Sequence, residues 1–141
     1  MKLDDILKMI EVDSIIDNAQ LDQESLKIPQ LHGKYYKVFI EELRVLKGYD
    51  KDYNALKRDR TEYYLGKSSD EIYKEEPLDQ KIIKQDLDLY LEADDKLSTL
   101  RAKRDMQKAK VEMVEGFIKS LNNRGFQIKN AIDFLRFKNG F

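Results

Sequence analysis

Lys57, Arg58 and Arg60 stand within a helical turn of two aromatic rings in the run Lys57-Arg58-Asp59-Arg60-Thr61-Glu62-Tyr63-Tyr64, and Gly66 follows almost at once. Long cations attract a phosphate backbone whatever its sequence, and tyrosine rings stack on unpaired bases. The same pattern also suits an ordinary amphipathic helix, with Tyr63 in the core, Tyr64 at its rim and the charges in solvent. Composition by itself favours that second reading. A later cluster, Arg101, Arg104 and Lys108, lies on one helical face and divides the same way: phosphate contact, or a solvated and salt-bridged surface.

The elements that position these groups are helical. Phe39, Leu43, Leu46, Tyr49, Tyr53, Leu56 and Tyr63 recur at steps of three, four or seven, which lays them along one helical stripe. Pro29 suits a helix start, because its missing N–H costs nothing in a first turn. The expected helix therefore runs from Pro29 to about Leu65 and stops at Gly66. Arg60 falls on the apolar stripe between Leu56 and Tyr63. A guanidinium there is at the solvent edge, snorkelling, or placed to meet something anionic. That makes Arg60 the most informative of the three cations.

Upstream, residues 2–10 form a short amphipathic helix with Leu3, Ile6, Leu7 and Ile10 on one face. Downstream, Gly66 to Asp70 reads as a loop and the acidic stretch to Glu76 as a connector. Pro77 is a second candidate start, preceded by acids that suit the positive end of a helix. From it a helix is expected to about Asn122. Asn122-Asn123-Arg124-Gly125-Phe126 reads as a terminator, with glycine in the left-handed position. A last short helix over Gln127 to Lys138 would present Ile128, Ile132 and Leu135, either to the long helix or to a neighbouring subunit. The expected fold is all-α, with long antiparallel helices and a short C-terminal helix. Its organisation is an N-terminal helical region with the basic segment (1–67), an acidic connector (68–76) and a C-terminal helical region (77–141).

The formal net charge of -1 conceals segregation by sign. Residues 1–30 carry -4, 31–67 carry +3, 68–95 carry -7 and 96–141 carry +7. Such blocks either pair with each other or leave a basic stripe for a polyanion. Catalytic chemistry has little to work with. There is no cysteine and one histidine, His32, which reads as a surface residue near a helix start. No glycine-rich phosphate loop, nucleophile elbow or metal-ligand spacing occurs. Asp94-Asp95 reads as part of a helical charge pattern. The chain is expected not to be an enzyme and to need neither cofactor nor metal. No apolar run approaches ~18 residues and the first residues lack a signal-peptide core, so a cytoplasmic protein without a membrane segment is expected.

Two stretches resemble the UvsY family of recombination mediators from T-even-like bacteriophages. Ala55-Leu56-Lys57-Arg58-Asp59-Arg60-Thr61-Glu62-Tyr63-Tyr64-Leu65-Gly66 is similar to the family's Lys-x-Arg-x-x-Tyr-Tyr-x-Gly, with Arg at 58 in place of Lys. Arg124-Gly125-Phe126-Gln127-Ile128-Lys129 is similar to Arg-Gly-Phe-x-Ile-Lys, and Ala93-Asp94 keeps a family-like distance from it. The tryptophan and cysteine of the best-known member are missing, and the basic run 101–110 stands in that region. The resemblance implies single-stranded DNA binding through the basic pair at 58 and 60, in the host-cell cytoplasm. It also implies assembly into a ring of about six or seven subunits through the C-terminal helices. The ring contacts would then fall on Phe117, Leu121, Phe126, Ile128, Ile132 and Leu135. The implied partners are a RecA-like phage recombinase, which the protein loads, and the phage single-strand-binding protein, which the recombinase displaces. The alternative is a helical scaffold or assembly adaptor with no nucleic-acid role.

Overall fold

The computed structural model describes residues 1–140, and these form helices and connecting segments without a strand. The elements are α1 (Leu3–Asp13), α2 (Leu21–Tyr64), α3 (Asp70–Glu75), a 3-10 turn (Lys84–Asp86), α4 (Leu87–Ala93) and α5 (Asp95–Lys138). Among the described residues no helix is long and apolar enough to cross a membrane. The chain divides into two compact units: Met1–Arg44 with the chain from Ala109 onward, and Val45–Lys108.

The α2 stripe forms as its spacing requires. Leu46, Tyr53, Arg60 and Tyr63 are buried, and Phe39, Leu43, Tyr49 and Leu56 are half-buried beside them. The start differs from expectation, since α2 begins at Leu21 and Pro29 lies inside it. Pro29 withholds one helical hydrogen bond from the Ser25 carbonyl. Both residues are exposed, so water can serve that carbonyl and the helix continues. The stop is as expected. Gly66 takes φ +77, Lys67 N–H donates to the Glu62 carbonyl at 2.8 Å and Gly66 N–H to the Tyr63 carbonyl at 3.1 Å. Those two bonds are a Schellman closure around a left-handed glycine.

The first unit is built on apolar burial. Ile6 of α1, Tyr35 and Val38 of α2, and Val114, Phe117, Ile118 and Leu121 of α5 form one cluster. Here α2 and α5 run antiparallel, as Tyr35 packs on Phe117 with ring centroids 4.5 Å apart and Lys110 lies 3.4 Å from Glu42. On α1, Met9 joins Ile6 and Ile10 on the core side, whereas Leu7 is exposed. A polar knot closes the end of α1. Asp13 accepts from Lys34 Nζ and Tyr35 Oη, each at 2.7 Å, while buried Arg124 donates to the Asp13 carbonyl at 2.7 Å. Burial pushes the Asp13 carboxyl up, but the Lys34 and Tyr35 hydrogen bonds outweigh it and hold it below the usual range.

The expected terminator at 122–126 is corrected by the course of α5. This helix runs unbroken through Gly125 to Lys138, and Gly125 lacks the left-handed φ that such a terminator needs. There is accordingly no separate short C-terminal helix. Val114, Phe117, Leu121, Arg124 and Ile128 are all buried at helical spacing. Keeping that stripe in register outweighs the ~1 kcal/mol that a mid-helix glycine costs.

The second unit packs Tyr53, Leu91 and Leu97, with Leu56, Tyr64, Leu87 and Leu100 against them. Pro77 does not start a helix. The chain from 77 to 83 is irregular, and Tyr63 Oη donates to the Glu76 carbonyl at 3.1 Å and the Pro77 carbonyl at 3.4 Å, so these carbonyls serve a side chain instead of a helical turn. The helix begins at Leu87 and breaks again at Asp94, whose φ -66 and ψ 121 are extended. Asp94 then caps α5: its Oδ1 accepts the Leu97 N–H at 2.9 Å and its carbonyl the Ser98 N–H at 2.9 Å. An aspartate in that position satisfies an N–H that the helix itself leaves unpaired.

Candidate nucleic-acid interface

Both basic groups and both tyrosines of the sequence reading fall in the second unit, but in two different settings. Lys57 and Arg58 are exposed. Arg58 keeps 69% of its side chain in solvent and holds only Asp59, its equally exposed neighbour, at 3.2 Å. An exposed pair of this kind is worth little and is easily exchanged. Arg60, two positions on, is 6% exposed.

Arg60 sits on the stripe and brings its charge into the core, so it must be paired there. Its Nε donates to Asp94 Oδ2 at 2.7 Å. Its two terminal nitrogens grip Glu76 side by side, Nη1 to Oε2 and Nη2 to Oε1, both at 3.0 Å. Tyr64 Oη donates to the same Asp94 oxygen at 2.7 Å. The guanidinium lies 4.3 Å from the Tyr63 ring centroid and 5.2 Å from that of Tyr64. Tyr73 Oη, in turn, donates to the Tyr63 carbonyl at 2.7 Å.

These contacts fix the protonation states. Burial would lower the Arg60 pKa, but contacts with Glu76, Tyr64 and Asp94 more than reverse that and raise it. Burial would raise the Asp94 carboxyl, yet the Leu97 N–H, Tyr64 and Arg60 hold it below the ordinary carboxylate value. Glu76 is lowered chiefly by its Arg60 hydrogen bonds, against a smaller opposing effect of burial. The reading of Asp94-Asp95 as part of a helical charge pattern is therefore corrected for Asp94, which is buried at the bend between α4 and α5.

Lys57 and Arg101 line a cleft of about 590 Å³ together with Tyr53, Leu91 and the acids Asp88 and Glu92. Arg101 Nη2 donates to Tyr53 Oη at 3.2 Å. Arg104 lies over the same ring, 4.3 Å from its centroid, and also meets Asp105 at 3.3 Å. Tyr53 thus supports two guanidinium groups from α5 within the same unit as Lys57. The antiparallel course of α2 and α5, with Tyr53 beside Arg101 and Arg60 beside Asp94, brings together cations distant in sequence.

Of the tyrosines singled out, Tyr63 is buried and Tyr64 half-buried in the ion cluster. In the first unit, Phe117, Leu121 and Ile128 belong to the core, Ile132 is half-buried, and Phe126 and Leu135 are exposed. Phe134 and Phe137 join the exposed group. Residue reading alone missed Asp94, Glu76, Tyr53 and Tyr73 as supports of the basic cluster. The spacing of Asp94 three residues before Leu97 carried the signal of a helix cap.

The fold and this basic cluster define an all-helical protein whose cations divide between a buried ion network and an open cleft. The model of a family described as recombination, repair and ssDNA binding protein UvsY matches residues 9–141. The chain belongs to the UvsY family, which places it among recombination and repair proteins that bind single-stranded DNA. Crystal structures of the bacteriophage T4 recombination mediator protein UvsY share the fold. One superposes with a TM-score of 0.86 at 19% identity, over 99% of this chain and 98% of that one. A second gives 0.81 at 18% identity, over 98% and 99%. No curated protein sequence matches this one.

Proposed function

We propose that this protein is a recombination mediator that binds single-stranded DNA along the exposed cations of its second unit and passes the strand to a RecA-like recombinase as the single-strand-binding protein leaves. Lys57, Arg58, Arg101 and Arg104 contact phosphates. Tyr53 and Tyr64 border that path, while Arg60 and Tyr63 position the helix that carries Lys57 and Arg58. The observation that supports this most is the open cleft with Lys57 on one wall and Arg101 on the other, in a chain of a single-strand-binding family. No covalent step is required. Each phosphate neutralised releases counterions from the strand, so log K should fall with log salt by about 0.7 per contact. In Lys57→Ala/Arg58→Ala the slope should flatten by about 1.4 with the melting curve unchanged. A double variant that tracks wild type across a salt series refutes the assignment.

Assembly of several copies follows from the other end of α5. Phe126, Phe134, Leu135 and Phe137 are exposed, and with Ile132 they are the apolar side chains through which subunits associate. Phe117, Leu121 and Ile128 act from below, as the core under that segment. Joining modest sites in one oligomer raises the effective concentration of each further site. Phe134→Ser with Phe137→Ser should lower the sedimenting mass and weaken binding to long oligonucleotides. An unchanged assembly moves the interface elsewhere.

A further inference from the structure

The ion cluster contains a carboxylate in a place shaped for a phosphate. Arg60 divides its guanidinium between two kinds of partner. Its Nε is held by Asp94, whose side chain is 2% exposed, so that contact is internal. Its outer edge, Nη1 and Nη2, is held by Glu76, whose side chain is 42% exposed. Lys96 reaches the same carboxylate at 3.5 Å and is 63% exposed itself. Two cations thus converge on one half-exposed carboxylate, which the short α3 and its following turn deliver from the acidic connector. The two-pronged grip is the geometry by which arginine also takes a phosphate. The seat opens on a cleft of about 430 Å³ whose lining includes Arg60, Tyr63, Ser68 and Lys96, together with the acids Asp59 and Glu75.

We propose that Arg60 and Lys96 form an anion seat that Glu76 occupies as an internal substitute for a strand phosphate, and that single-stranded DNA exchanges with it. This rests on the strand-binding reading above. The exchange is ionic: the Glu76 carboxylate leaves the Nη1 and Nη2 edge, a phosphate oxygen pair takes its place, and Asp94 keeps Nε throughout. Arg60 therefore does not have to leave its buried position to gain a phosphate. Asp59 is already engaged by Arg58, and when Arg58 turns to a phosphate the two freed acids, Asp59 and Glu76, oppose strand entry. The device sets a threshold. The seat resists isolated anions and yields when neighbouring cations already hold the strand.

Glu76→Gln keeps the size of the side chain and removes its charge. Binding of a labelled oligothymidylate, followed by anisotropy across a salt series, should tighten several-fold and its salt slope should steepen by about 0.7, because no freed carboxylate then takes up a counterion against the one the phosphate releases. Glu75→Gln removes a neighbouring charge that does not grip Arg60. It should shift affinity slightly at low salt and leave the slope unchanged. Adding Arg60→Lys to Glu76→Gln should cancel the extra slope. If Glu76→Gln and Glu75→Gln behave alike, or Glu76→Gln matches wild type, the exchange is overturned. Glu76→Asp, which keeps the charge but shortens the reach, tests the exchange should the glutamine variant not fold: the weaker internal grip should tighten strand binding, and an affinity unchanged from wild type overturns the proposal. Wild type that fails to bind the oligonucleotide at low salt would sink the strand-binding reading instead.

Discussion

The two units hold their helices together by different means. In the first, seven buried residues from three helices, all apolar or aromatic, make one core, flanked by the polar knot around Asp13 and by buried Glu42, which the Met1 ammonium and Lys110 pair. In the second, Tyr53, Leu91 and Leu97 form a smaller buried cluster, and a buried arginine stands between two carboxylates. Apolar burial does not depend on the charge state of its members, whereas a buried ion network depends on every member keeping its charge. The unit that carries the candidate strand-binding cations thus also packs around a buried arginine. Its fixed charges keep α2, α5 and the acidic connector in place, and its free charges remain for a ligand.

The largest effect should come from removing one member of the network. Arg60→Ala leaves Asp94 buried without its cation and should cost about 3–5 kcal/mol in urea unfolding at neutral pH. Leu121→Ala in the first unit should cost a similar ~2–5 kcal/mol through a cavity. The comparison sharpens when the pH is lowered, since the Leu121→Ala penalty should stay constant while the Arg60→Ala penalty shrinks. A pH-independent Arg60→Ala penalty would erase the proposed difference between the units.

A smaller effect is expected in the wild type on acidification. Asp94 and Glu76 both have folded pKa values depressed below their ordinary ones. Their contribution is complete above the unfolded values, near pH 4, and is lost as pH falls through the lower folded values. Asp13 follows the same sign in the first unit. Hydrogen exchange should therefore show residues 57–64 and 94–100 losing protection below about pH 4 before the segment around Val114 to Leu121. Simultaneous loss in both segments contradicts the assignment of ionic packing to the second unit.

Much of this architecture is legible in the sequence because helical period is a local signal. The stripe from Phe39 to Tyr63 and the stop at Gly66 are read from neighbours alone. So is the presence of Arg60 on the seam. The failures are positions where a distant partner decides. Gly125 looks like a terminator until Leu121, Arg124 and Ile128 all find burial on one face. Pro77 looks like a helix start until Tyr63, 14 residues away, takes its carbonyl. The partners of Arg60 lie 16 and 34 residues away, and the acidic block that contains them gives no local sign of which carboxylate turns inward. Basic character is legible at 57–60, whereas the division into buried and open cations is not.

The central claim is that the strand lies on the exposed cations of the second unit, and lysine footprinting tests it most directly. Acetylation of the native protein, with and without a saturating oligothymidylate, should show Lys57 losing most of its reactivity when the strand is bound. Lys27 and Lys119, exposed in the first unit, should react equally in both conditions. Full reactivity at Lys57 together with protection at Lys27 or Lys119 would place the strand on the other unit and contradict the account.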